Sequence, residues 1–206
     1  MAAISDNSGT HGSLESRVEL DSHANMPVVG RNAYIISNTG KTANVNPYNP
    51  DYEPMEIPIV DAALMYNDPF SGHDHVLIIR NALYVESMSN HLIPPFIIRE
   101  AGIQVHDTPK IHVEDPGTDD HAITVNDQLR IPLSLSGTFS YFPVRKPTTQ
   151  ELNEAEEVYQ ITPDRFDPHN TVYAHNEDRM LDWKGEVHSQ TDRKLHRDAS
   201  STGSQT

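Results

Sequence analysis

The segment richest in chemistry is Val18-Glu19-Leu20-Asp21-Ser22-His23-Ala24-Asn25-Met26. A carboxylate followed by a small hydroxyl residue, just after a short apolar strand, has the parts needed to activate water against a carbonyl. That chemistry needs two carboxyls side by side. Like charges about 3 Å apart do not both ionise, so one keeps its proton and the pair offers a base and an acid together. The ionised member activates a water, and the protonated member polarises the carbonyl under attack. The neighbouring hydroxyl braces the pair. On spacing alone, an Asp-Ser dipeptide is more commonly a turn or a helix cap.

Other groups compete for a role. Asp61, in Ile59-Val60-Asp61-Ala62-Ala63, is a second carboxylate after an apolar strand and would make a dyad with Asp21 inside one chain. Against that stand Ala rather than Ser or Thr at position 62, and the absence of a repeat around the two sites. His73-Asp74-His75 offers neighbouring imidazoles, but a metal site needs three or four ligands with a supporting shell, so this reads as a solvated hairpin tip. Asp119-Asp120-His121, His169, His175, His188 and His196 read the same way. We therefore expect no metal and no cofactor. Tyr173 and Trp183 lie in a polar stretch and read as exposed aromatics rather than as a docking motif.

The elements that must position Asp21 are short and mostly β. Val28 to Gly30 and Ala33 to Ile36 read as strands separated by turn residues. Met55 to Met65 and His75 to Val85 read as a hairpin whose polar tip is Asn67 to Asp74. Leu92 to Ala101 reads as a helix, with Pro94 and Pro95 in its first turn and Gly102 just past its end. From Ile111 to Phe142 a strand-and-turn rhythm repeats, with reversals at Pro116-Gly117 and Asn126-Asp127. Thr149 to Tyr159 reads as a short acidic helix capped by a Thr.

Composition sets the outer limits. The chain has 206 residues, 36% of them hydrophobic, a net charge of −15 and no cysteine. Disulfides, thiolate-bound zinc and a thiol nucleophile are excluded. So strong an acidic balance repels phosphate backbones and anionic membranes, so direct nucleic-acid binding is not expected. No apolar run reaches membrane-spanning length, and the polar start, MAAISDNSGTHGS, has no apolar signal core. Cytoplasmic residence is the expectation.

Two blocks, LDSHANMPVVG and ALYVESMSNHLIPPFIIREAGIQV, together resemble the protease region of copia-type retrotransposon polyproteins. That family opens on L-D-S-G-A-S/T-x-H/N-M and later carries V-L-Y-V-P-x-L-x-x-N-L-[LI]-S, followed by A/G and a hydrophobic residue. Leu83-Tyr84-Val85, Ser87-Met88, Leu92-Ile93 and Ala101-Gly102 match successive steps of the second block. The resemblance spans about residues 18–106 and continues more loosely to Thr148. It implies a mainly β, retropepsin-like closed barrel with a hairpin flap and one short helix, then further antiparallel strands and disordered termini. The flap would be the hairpin tipped at Asn67 to Asp74.

The resemblance also implies that Asp21 is the catalytic aspartate and Ser22 the bracing hydroxyl. A homodimer would supply the second Asp21, and the substrate would be a polyprotein peptide. Two departures from the family pattern matter: His23 stands for its glycine and His91 for its asparagine. A catalytically decayed fragment serving as a dimerisation or peptide-binding module is the alternative. The expected organisation is a disordered 1–16, a protease domain over 17–106, a β-rich extension over 107–148, a short acidic helix within 149–163, and a disordered tail over 164–206.

Overall fold

The computed structural model describes residues 15–45 and 53–187. The chain divides into two units, residues 1–166 and 167–206. The first is mainly β and holds every element discussed for the site. Its first strands are β1 (Glu15–Leu20), β2 (Val28–Gly30), β3 (Tyr34–Val45), β4 (Met55–Asn67), β5 (Asp74–Val85) and β6 (His91–Ile93). A short helix, α1 (Pro95–Glu100), follows, then β7 (Gln104–His106), β8 (Ala122–Thr124), β9 (Arg130–Pro132), β10 (Ser134–Ser136) and β11 (Phe139–Arg145). Helix α2 (Thr149–Glu154) and β12 (Val158–Gln160) close the unit.

Nine strands form one mixed sheet in the order β10-β11-β1-β6-β2-β5-β4-β3, with β12 added on β5. Strand β1 runs antiparallel to β11, with Val18 opposite Phe142, and parallel to β6, with Leu20 opposite Ile93. Strand β11 also reaches β4 through Arg145 and Met65. The expected hairpin is present as β4 and β5, with Asn67 opposite Asp74.

Strand β4 shows why the apolar run is continuous rather than alternating. Ala62, Leu64 and Tyr66 enter the main core, while Ala63 and Met65 enter a second cluster with Val76, under Leu152 and Ala155. With period-two side chains, a strand covered on both faces must be apolar at every position.

Some expectations change. The strand β1 starts at Glu15, inside the stretch expected to be disordered, while residues 1–14 lie outside the described residues. Leu92 and Ile93 belong to a strand rather than to the helix. Pro94 takes an extended conformation (ψ 130°), as a residue before proline does, so α1 begins only at Pro95. Gly102, at φ +82°, ends that helix as expected.

Within 107–148, β8 and β9 make a small sheet with β7, whereas β10 and β11 join the main sheet. Helix α2 carries a capping box between Thr148 and Glu151 but stops at Glu154. Beyond it, Val76 donates its N–H to the Glu157 carbonyl, and pairing with β5 draws Val158 to Gln160 into a strand. Tertiary pairing outweighs helix propensity there.

The second unit contains one short helix, α3 (Val172–Asp178), and a bridge between Leu181 and Val187. Part of the expected disordered tail is therefore ordered locally, and residues 188–206 lie outside the described residues.

Candidate active site

Asp21 leaves the end of β1 and is fixed by its backbone. Its N–H donates to the Ile93 carbonyl at 3.4 Å, continuing the β1–β6 pairing by one residue. Its carbonyl accepts the Ala24 N–H at 3.4 Å, and its Oδ1 accepts the His23 N–H at 2.9 Å. The loop is thus a tight turn built on the aspartate's own side chain. The carboxylate is partly open, at 20% of full exposure. Ser22 is exposed beside it.

His23 meets no steric obstacle within the chain. Its side chain is 93% exposed, and its φ is not positive. This turn therefore closes without the left-handed backbone that would call for glycine. Its Nδ1 stands 3.8 Å from Asp21 Oδ1.

Asp61 does not join Asp21. It sits at an irregularity in the β4–β5 register between Val60 and Ala62. There its Oδ2 takes Arg80 Nη1 at 2.9 Å and the Ser37 hydroxyl at 3.3 Å, and its Oδ1 takes the Asn81 N–H at 3.1 Å. Asn81 is left-handed at φ +54°. The carboxylate is a structural tie across this bulge, which overturns the single-chain dyad.

The tip between Asn67 and Asp74 is bound by Arg145, through Nε to Asn67 Oδ1 at 3.1 Å and Nη2 to Asp74 Oδ2 at 3.3 Å. Arg145 lies opposite Glu15 at the start of β1, whereas Asp21 follows its end. About 20 Å of strand separates the two, so this tip stands away from Asp21 of the same chain. The β3–β4 hairpin is the better placed. Its arms end at Val45 and Met55, and both line an apolar groove of about 690 Å³ together with Val28, Ile57, Leu83 and Leu92. Val28 continues the Asp21 loop, and Leu92 precedes the carbonyl that holds Asp21. Sequence patterning gave no sign of this groove, because its apolar residues are shared among five short segments.

The imidazole of His91 is the second residue whose place the sequence did not show. It is fully buried and joins three strands. Its Nδ1 accepts the Gly30 N–H at 3.2 Å, which leaves Nε2 protonated to donate to Ser16 Oγ at 3.1 Å. The Ser16 hydroxyl in turn donates to the Val144 carbonyl at 3.4 Å. Burial holds the His91 pKa down at about 4, so the neutral ring is the form the fold keeps. Gly30 lies in the same knot for a steric reason: a Cβ there would stand 2.3 Å from the Met88 carbonyl oxygen.

Two histidines read as solvated are buried instead. His75, 3% exposed, packs between Tyr66 and Tyr159 with Nδ1 2.5 Å from Glu157 Oε2. His121 bonds Ser140 Oγ at 2.9 Å, and burial lowers its pKa. Trp183 is 88% exposed under the Lys184 ammonium. Among the described residues no three His, Asp or Glu side chains are grouped to hold a metal ion, and no helix is long and apolar enough to cross a membrane.

Comparison with family models, curated proteins and solved structures returned no match.

Proposed function

We propose that this chain is a retropepsin-like aspartic endopeptidase unit, of the kind found in copia-type retrotransposon polyproteins, acting as a homodimer on polyprotein peptides in the cytoplasm. The observation that carries the proposal is the setting of Asp21. Its carboxylate follows the end of a strand and is oriented by the His23 N–H, its backbone N–H is tethered to Ile93, and an apolar groove opens by Val28 and Leu92 on the adjoining segments. The sheet gives further support, since β11 pairs with β1 and also meets β4 at Arg145 and Met65.

One chain supplies one such carboxylate, so the partner copy brings the second, and Ser22 of each copy braces the pair. The ionised Asp21 takes a proton from water as the oxygen attacks the scissile carbonyl. The protonated Asp21 hydrogen-bonds the carbonyl oxygen, and the amide nitrogen leaves with a proton. The β3–β4 hairpin closes over the peptide.

The test is hydrolysis of a peptide library at mildly acidic pH by the full chain. The specific rate should rise with protein concentration, fall with a pepstatin-type inhibitor and vanish in Asp21→Asn. Activity that survives in Asp21→Asn refutes the dyad. His23 beside the carboxylate favours a second reading, a decayed protease that pairs or holds peptides without cutting them. A dimer that binds peptides yet never hydrolyses them would establish that one.

A further inference from the structure

We infer that the groove selects peptides in which a large aliphatic side chain is flanked by a lysine or arginine. The inference rests on the groove as the site of peptide capture but not on cleavage. Strands β4 and β5 stay paired as far as Ile59 and Leu83 and then part, and the groove opens in the fork between them. Its floor is apolar: Val28, Ile57, Leu83 and Leu92 line it. An aliphatic side chain laid there leaves water at little cost in lost hydrogen bonds.

The charge on its walls is of one sign. Glu56 on β4 and Glu86 after β5 both line the groove, and among the described residues no basic one does. Both side chains are exposed, Glu56 on the part of β4 that pairs with β3 and Glu86 in the turn that follows β5.

Neither carboxylate has an ion-pair partner among the described residues. Glu56 accepts the Thr42 hydroxyl at 2.6 Å, and the nearby Arg31 guanidinium is engaged by the Ser87 carbonyl at 3.3 Å. Two exposed carboxylates beside an apolar floor complement a side chain that is aliphatic next to one that is cationic. They repel a peptide that carries Asp or Glu at the same place.

The experiment uses the full-length Asp21→Asn protein, so that binding is read apart from hydrolysis. Fluorescein-labelled hexapeptides with a central Leu, flanked on one side by Lys, Gln or Glu, are titrated by anisotropy at low salt. A second series replaces the Leu by Ser.

The Leu-Lys peptide is expected to bind about tenfold more tightly than Leu-Glu, with Leu-Gln between them. Glu56→Gln and Glu86→Gln should each reduce that preference about threefold, and Glu86→Lys should turn it toward Leu-Glu. Loss of binding in the Ser series is also expected. Equal affinity for the Lys and Glu peptides, no response to either Gln variant, or no binding of any peptide overturns the inference. Selective binding by a wild-type protein that cuts none of these peptides would leave the inference standing while the endopeptidase proposal fails.

Discussion

Gly30 gives its backbone N–H to His91 Nδ1 at 3.2 Å, and through this bond the strand after Asp21 is hung on the strand beneath it. The acceptor exists only while the ring is neutral. An unfolded histidine titrates near 6.5, whereas His91 in the fold is held at about 4. Below pH 6.5 the unfolded chain therefore takes up a proton that the folded chain refuses. This contribution, about 3 kcal/mol for a shift of that size, is complete above pH 6.5 and is lost as pH falls through 4. Denaturant titrations between pH 4 and 7 should show a steep acid-side loss of stability. His91→Leu should flatten that slope while lowering stability at pH 7 by about 1–3 kcal/mol, because Gly30 and Ser16 lose their partner. An unchanged slope in the variant would show that another group controls the acid limit.

Gly30→Ala isolates the steric half of the same knot. The added methyl would meet the Met88 and Asn90 carbonyl oxygens, at 2.3 and 2.8 Å, and backbone yields less readily than a side chain. A loss of about 1–3 kcal/mol is expected by chemical denaturation, in the range for overpacked sites. A melting temperature equal to the wild type would mean that β2 and the 88–90 segment can part freely.

Asp61 and Asp21 should separate cleanly by mutation. Asp61→Asn leaves the Arg80 guanidinium and the Asn81 N–H with a weakened acceptor, and should cost about 1–3 kcal/mol of stability. Its turnover per folded molecule should stay within about twofold of wild type, far from the >100-fold losses that follow removal of a catalytic group. Asp21→Asn should do the reverse, abolishing hydrolysis with little change in the melting curve. A parallel assay of kcat and thermal midpoint for both variants decides the matter.

His23→Gly tests whether the departure from the family pattern restrains activity. The side chain is almost wholly solvated in the single chain, so the thermal midpoint should not move. If two imidazoles crowd the carboxylate pair in the dimer, the glycine variant should hydrolyse peptide faster and dimerise at lower concentration. Sedimentation analysis alongside the rate assay separates the two effects.

Much of the β content was legible because it rests on local signals. The Asn67–Asp74 reversal, Pro95 at the start of α1 and Gly102 at its end each follow from backbone chemistry of the residue itself. What stayed hidden was long-range. Nothing local marks Val158 to Gln160 as a strand, because its partner is Val76 to Ile78. His91 reads as one polar residue in an apolar run until Ser16 and Gly30 are brought against it. The distance of the Asn67–Asp74 tip from Asp21 was hidden for the same reason: it depends on Arg145 lying opposite Glu15. The candidate aspartate itself was visible only through its resemblance to a known motif, since Asp-Ser has many uses.

The pairing of β1 with β11 has a kinetic consequence. Ser16 and Val144 bond across 128 positions of sequence, and Ser16 and His91 across 75. During synthesis the first strand waits, without its outer neighbour, until more than a hundred further residues have left the ribosome. Closing so long a loop comes before any reward from the contacts it makes, so this topology folds slowly, with β1 among the last strands to be secured. The aspartate at the end of β1 is accordingly set in place only when the whole sheet is complete.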